Sequence, residues 1–114
     1  MAFSEIEINK YKIQLEDFIN LRRPPVEIRD QLDIGYSIKD QSIEMFEIRP
    51  QFQTKEIIHI PIAKATYIRK ENKWKIFWQR VDLKWHTYEP KKIVNNLSDF
   101  IKVVDTDEYH CFWG

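Results

Sequence analysis

The spacing of hydrophobic residues changes at Pro24 and Pro25, and this change restricts the fold more than any other feature of the chain. Before the prolines, one apolar stripe repeats at helical spacing. Its members are Ile8, Tyr11, Leu15, Phe18 and Ile19. From residue 31 onward the period becomes two, as in β-strands with one buried face. A proline pair cannot continue a helix, so the sequence predicts a helix that ends here and a sheet that follows.

Capping signals predict where two helices begin. Ser4 and Glu7 form the S-x-x-E capping box, in which each side chain can satisfy the backbone amide of the other residue. Near the other end of the chain, Asn96 is a suitable N-cap for a second helix. The apolar positions of that helix are Leu97, Phe100, Ile101 and Val104.

The segments with period two are joined by short links, which require antiparallel neighbours. We therefore predict an α+β fold with an N-terminal helix, an antiparallel sheet of four or five strands in a meander, and a C-terminal helix. Both helices are expected on one face of the sheet. Residues 57–60 are expected to form a short edge strand. The length of 114 residues fits a single domain over residues 1–114.

The composition excludes several classes of protein and site. Eighteen basic and eighteen acidic side chains cancel, which argues against a general nucleic-acid coat. One cysteine cannot form an intrachain disulfide or a cysteine-based zinc site. The N-terminal residues do not resemble a signal peptide, and no apolar run is long enough to span a membrane. These features predict a soluble cytoplasmic protein with no membrane partner and no cofactor.

The stretch "KWKIFWQRVDLKWHTYEP", residues 73–90, combines aromatic and basic side chains. Strand alternation directs one set toward the helices, namely Trp74, Ile76, Trp78, Leu83 and Trp85. The opposite set is basic and aromatic: Lys73, Lys75, Phe77, Lys84, His86 and Tyr88. Sheet faces of this kind hold single-stranded nucleic acid, because bases stack on the rings and cations meet the phosphates. Alternatively, the rings pack for structural reasons and the lysines deter aggregation.

Charged residues near the predicted sheet end suggest further contacts or chemistry. Arg22, Arg23 and Arg49 are candidate anion contacts. Asp33, Glu47 and Arg49 weakly resemble the carboxylate–cation set of a metal-dependent phosphodiesterase. The same residues could form a cluster of salt bridges. The three histidines lack the spacing of metal ligands, so no metal site is predicted.

The favoured interpretation is a non-enzymatic binding module for an anionic ligand, with single-stranded nucleic acid as the leading candidate. The phosphodiesterase is one alternative. The other is a protein-interaction or homodimeric module, in which a partner covers the aromatic face or the C-terminal "YHCFWG" segment.

Several motifs also resemble those of a known family. The motifs "RRPP", "DIGY", "FEIRP", "PIAKATYIR", "DLKWHTYEP" and "CFWG" occur in this order along nearly the whole chain. Together they resemble a family of short bacterial proteins catalogued as a domain of unknown function. The resemblance implies a bacterial single-domain protein and implies nothing about its chemistry.

Overall fold

The computed structural model describes residues 2–113, which begin with an N-terminal helix, α1, over Glu5–Arg22. The predicted capping box is confirmed: Ser4 Oγ accepts from the Glu7 amide (3.2 Å), and the Ser4 amide donates to Glu7 Oε1 (2.8 Å). Arg69 also donates to the Glu7 carboxylate. This side-chain contact, together with the Ser4 amide, lowers the pKa of Glu7 to about 2. The first turn of α1 is thereby tied to the sheet.

Six strands form one antiparallel sheet. They are β1 (Asp33–Lys39), β2 (Ser42–Pro50), β3 (Ile57–Ile68), β4 (Lys73–Gln79), β5 (Trp85–Thr87) and β6 (Ile93–Val94). Strands β1 to β5 are neighbours in chain order, so the predicted meander is confirmed. A C-terminal helix, α2, spans Leu97–Thr106 and completes the predicted α+β fold. No helix within residues 2–113 is long and apolar enough to cross a membrane.

The core lies between one face of the sheet and both helices. Ile43, Ala65 and Ile76 follow one another across β2, β3 and β4, and all three side chains are fully buried. Leu15 of α1 and Phe100 of α2 belong to the same cluster. Both helices therefore pack on a single face, as the apolar spacing predicts.

Strand β3 differs from the prediction of a short edge strand at residues 57–60. It is a continuous central strand of 12 residues that pairs with β2 from Ile57 to Thr66. Its register shifts opposite Met45 and Phe46, where Ile62 is the extra residue of a β-bulge. The bulge explains how Pro61 fits inside a strand, because proline cannot donate to a regular ladder.

Strands β5 and β6 form one interrupted edge along β4. β5 pairs with the end of β4 and β6 with its beginning. Between them, a 3₁₀ turn over Glu89–Lys91 leaves the sheet. The Tyr88 amide donates to the Ile76 carbonyl oxygen, and the Ile76 amide donates to the Lys92 carbonyl oxygen, both at 2.9 Å. The chain thus leaves and rejoins the sheet at the same residue of β4.

The prediction that His86 and Tyr88 face away from the helices is wrong, because the register of β5 on β4 is shifted by one residue: Gln79, instead of Trp78, pairs with Trp85. Residues 80–84 form the link from β4, and Leu83 there adopts a left-handed conformation with φ of 62°. His86 pairs with Trp78 and so shares its helix-facing side. Trp85, predicted to be in the core, therefore faces the opposite side, and Leu83 is 76% exposed.

The C-terminal segment is held against this edge by Asp107. The buried Asp107 carboxylate accepts hydrogen bonds from the amides of Phe112 (3.0 Å) and Trp113 (2.9 Å). The Trp113 indole donates to the Val104 carbonyl oxygen at 2.9 Å. Phe112 in turn packs against the ring of Tyr88, with 4.9 Å between ring centroids.

Substitution of Tyr88 tests the observed orientation of β5. We expect Tyr88→Ala to lower the free energy of unfolding by about 3–5 kcal/mol, as for other buried aromatic side chains. Tyr88→Phe is the matched control and should remain close to the wild type, since the hydroxyl has no hydrogen-bond partner among residues 2–113. Urea denaturation measures both. Wild-type stability of Tyr88→Ala would show that Tyr88 lies on the exposed side.

Candidate functional site

One face of the sheet has no helix packed on it within the part of the chain that the structure describes. We call it the open face. Strand register places one row of side chains across it, from β1 to β5: Ser37, Glu44, Lys64, Phe77 and Thr87. A second row on the same face contains Lys39, Ser42, Thr66 and Lys75. The half formed by β3, β4 and β5 is therefore basic and aromatic, while the other half includes an acid.

A lysine and two aromatic rings form the centre of the basic half. The Lys64 ammonium lies 5.3 Å from the centroid of Phe77 and 5.2 Å from that of Trp85. Glu44 is the direct cross-strand neighbour of Lys64 but forms no ion pair with it. The cation–π contacts hold the ammonium beside rings that are only half-buried. Here the open face offers both a positive charge and a stacking surface.

A second pair of rings lies farther toward β1. Phe46 and His59 stack nearly parallel, with 4.5 Å between centroids and 8° between planes. The Phe46 ring lies across Gly35, where an added Cβ would come within 2.9 Å of the ring. Only a glycine leaves room for the ring in this position.

Three of the predicted ligand-binding residues lie on β4 with the alternation that the sequence predicts. Lys75 and Phe77 belong to the open face, and Lys73 lies at the edge where β4 begins. Lys84 lies in the exposed link before β5, where its amide donates to Asp82 Oδ1. The lysine side chains form no ion pair with any residue from 2 to 113.

The other two predicted members of this face are elsewhere. Tyr88 is part of the core, and burial raises the pKa of its hydroxyl. His86 Nε2 lies 2.9 Å from Asp82 Oδ2 on the helix-facing side. The Lys84 amide and His86 together lower the pKa of Asp82. This arrangement fixes the link between β4 and β5.

The predicted arginine contacts have partners within the fold. Arg22 pairs with Asp105 at 2.8 Å, and its guanidinium lies 4.2 Å above the Trp113 ring. It therefore joins α1 to α2 and the C-terminal segment. Arg49 pairs with Glu47 on the same strand. Salt bridges, which the sequence left open as an alternative, account for both residues.

Arg23 and Asp33 form a two-pronged ion pair between the end of α1 and the start of β1. Arg23 Nε lies 3.2 Å from Asp33 Oδ1, and Arg23 Nη2 lies 2.6 Å from Oδ2. Burial raises the pKa of Asp33, but the hydrogen bonds from Arg23 and the Ile34 amide outweigh burial and leave the pKa below its ordinary value. The carboxylate is held in its charged form as part of the fold.

The carboxylates proposed for metal-dependent chemistry are not brought together. Asp33 pairs across the strands with Ile48, whereas Glu47 pairs with Ile34. The two acidic side chains therefore lie on opposite faces of the sheet. Among residues 2–113, no cluster of histidine, cysteine or acidic side chains is arranged to hold a metal ion.

Burial raises the pKa of the Cys111 thiol, which disfavours the reactive thiolate.

Sequence reasoning missed four side chains of the open face: Lys64, Trp85, Phe46 and His59. A signal for Lys64 exists, because it lies between Ala63 and Ala65, whose small buried side chains mark the helix-facing positions of β3. No comparable signal exists for Trp85, since its side depends on the length of the link from β4.

Comparison with known families gives a match over almost the entire chain. The family described as "Domain of unknown function (DUF3024)" matches residues 3–114. The chain belongs to this family. Comparisons with curated proteins and with solved structures found no match. Membership in the DUF3024 family confirms the resemblance seen in the sequence motifs, and the function must be inferred from the arrangement of side chains.

Asp33→Asn tests whether the ion pair with Arg23 stabilises the fold. At pH 7 we expect the free energy of unfolding to fall by about 1–2 kcal/mol. A folded-state pKa below the unfolded value stabilises the protein above about pH 3.9, and this contribution is lost as the pH falls through the folded-state pKa. The difference between the variant and the wild type should therefore shrink in acid.

Denaturation at neutral and acidic pH measures the Asp33 effect. Asp30→Asn is the control, because Asp30 is exposed and has no ion pair in the described residues. It should change stability by less than about 0.5 kcal/mol. Equal stability of Asp33→Asn and the wild type at pH 7 would contradict a structural role.

Proposed function

We propose that this protein is a non-enzymatic binding module of the bacterial cytoplasm that holds single-stranded nucleic acid on its open face. The observation that carries the proposal is the position of the Lys64 ammonium over both Phe77 and Trp85 on a face that no helix covers. Aromatic rings with adjacent cations suit a chain of bases and phosphates. Lys75, on the same face as Phe77, supplies a further cation.

Stacking of a base on an aromatic ring of the open face is more favourable than the cation–π contact of Lys64 with that ring. An exposed cation–π contact contributes about 0.5–1 kcal/mol, whereas stacking of a base on an aromatic side chain contributes about 1–3 kcal/mol. A base can therefore displace the ammonium from the ring, and the released ammonium can meet the neighbouring phosphate. Among residues 2–113, Lys64 has no carboxylate partner that would oppose this movement.

The charge distribution supports binding to one half of the face. Lys64, Lys75 and Lys84 lie on or beside β3, β4 and β5, whereas Glu44 lies on β2. We expect the nucleic acid to follow the basic half and to avoid Glu44. Three to four phosphate contacts give a salt dependence of roughly −2 to −3 in log K against log salt concentration for a single strand.

The phosphodiesterase alternative lacks comparable support, because Asp33 and Glu47 are each paired with an arginine. The interaction module has a specific observation in its favour. Leu21, Phe52, Val81 and Leu83 are each at least 76% exposed. Each lies in the last turn of, or shortly after, an element that runs toward the same end of the sheet: α1, β2 or β4.

Binding of a labelled mixed-sequence single-stranded oligonucleotide tests the proposal. We expect Lys75→Glu to weaken binding by about tenfold and Glu44→Gln to strengthen it, because the first adds and the second removes negative charge on the open face. Lys12→Glu, on the exposed side of α1, is the matched control and should behave as the wild type. Fluorescence anisotropy over a range of salt concentrations measures all four proteins.

Tryptophan fluorescence supplies the second measurement. Binding should quench the emission of Trp85, and Trp85→Phe should lose most of the quenching, since the other tryptophans do not lie on the open face. Absence of oligonucleotide binding at low salt by the folded protein would overturn the proposal.

The interaction module predicts a different set of results. If the exposed apolar end binds a second copy, light scattering should show a dimer whose association does not weaken with salt. Phe52→Ser should then favour the monomer, while Lys12→Glu should leave the dimer unchanged. A monomer at high protein concentration would exclude this second candidate.

A further inference from the structure

Two cavities adjoin at the β4–β6 edge of the sheet, away from the rings of the open face. The first lies between α1, the β3–β4 turn and the start of α2, and has a volume of about 230 Å³. Four amide side chains line it: Gln14 of α1, Asn72 of the β3–β4 turn, and Asn95 and Asn96 before α2. Lys10 also lines it. We call it the amide cavity.

An unsatisfied polar atom distinguishes the amide cavity. Gln14 Oε1 is buried and has no hydrogen-bond partner, and no other buried side-chain polar atom in residues 2–113 lacks one. Leaving a buried acceptor unpaired costs about 1–3 kcal/mol. Since Gln14 lines the cavity, a bound molecule that donates a hydrogen bond can recover this cost. Asn72 Oδ1 already accepts from the Tyr67 hydroxyl, so Asn72 offers its amide nitrogen as a donor, and Asn95 offers both a donor and an acceptor.

The second cavity is basic. It has a volume of about 460 Å³ and is lined by Lys73, Lys91 and Lys102, from β4, the 3₁₀ turn and α2. Asp99 is the one acidic side chain that lines it. The three ammonium groups form no ion pair with any described residue. We call it the lysine cavity.

The two cavities share Asn95, so a single molecule can reach both. We propose that they form one site for a nucleotide, with the base in the amide cavity and the phosphate in the lysine cavity. Asparagine and glutamine side chains match the donor–acceptor edges of bases, and lysine is a common ligand of phosphate. The lysine cavity alone lies within the range of about 300–1,000 Å³ that is typical of ligand pockets.

This site is independent of the proposed function, because none of its amide and lysine side chains belongs to the group formed by Lys64, Phe77 and Trp85. The base distinguishes a nucleotide from other phosphates that three lysines could bind. A ligand without a base leaves Gln14 Oε1 unpaired and should bind less tightly. Nucleotides should therefore bind more tightly than small phosphates that have no base.

Titrations of the full chain with AMP, GMP, CMP and UMP test the proposal, with ribose 5-phosphate and pyrophosphate as ligands without a base. Two-dimensional amide NMR spectra locate the binding through the resonances of Gln14, Asn72 and Asn95. We expect at least one nucleotide to bind about tenfold more tightly than ribose 5-phosphate and to shift these resonances. Equal affinity for ribose 5-phosphate, or failure of all four nucleotides to bind at millimolar concentration, would overturn the proposal.

Two substitutions separate the cavities. Gln14→Leu keeps a similar size and removes the unpaired oxygen, so it should weaken nucleotide binding about tenfold without changing the affinity for pyrophosphate or lowering stability. Lys102→Gln should weaken binding of both ligands. Lys12→Gln, on the exposed side of α1, is the control and should change neither. If Gln14→Leu bound nucleotides as tightly as the wild type, the amide cavity would have no role.

The open-face variant Lys75→Glu distinguishes this site from the proposed function. It should weaken oligonucleotide binding but leave the resonances of Gln14 and Asn95 responsive to the nucleotide. If the wild type binds nucleotides but no oligonucleotide, the proposed function alone is disproved. Retained oligonucleotide binding without nucleotide binding would disprove only the second site.

Discussion

Both backbone hydrogen-bonding groups of Ile76 are used by the interrupted edge of the sheet, and the arrangement of both candidate sites depends on them. Its carbonyl oxygen holds the end of β5 and its amide holds the residue before β6. The chain must therefore turn outward between these two points, which brings Lys91 beside α2. The same pairing sets the register of β5 on β4, which buries Tyr88 and places Trp85 on the open face.

Strand β4 thus contributes to two different surfaces, the open face and the edge beside β6. One face carries Phe77 with the Lys64 ammonium and Trp85. Around the edge, Lys73 and Lys102 line a cavity that reaches the amides near α1. The helices cover only one face, so the core and the open face do not compete for the same residues. A one-residue change in the register of β5 on β4 would exchange the side chains on the two faces of β5. It would remove Trp85 from its place beside Lys64 on the open face.

The features predicted correctly from the sequence are those set by local spacing. The helix starts at Ser4 and Asn96 depend on a few adjacent residues, and the meander depends on short links. The orientation of β5 could not be read in this way, because it depends on a left-handed residue, Leu83, that is neither glycine nor asparagine. Lys64 could have been identified from its alanine neighbours, whereas the amide cavity joins elements distant in sequence and has no local pattern.

The zero net charge of the chain is compatible with anion binding because arginines and lysines have different roles. Four arginines form ion pairs with carboxylates, at Asp105, Asp33, Glu47 and Glu7. These pairs suit the planar guanidinium group, which can contact a carboxylate at two points. The carboxylates used in this way are not available to the lysines, and the cations of both candidate sites are lysines without ion pairs among residues 2–113. Equal numbers of charges therefore still leave unpaired positive charge on the open face and at the β4–β6 edge.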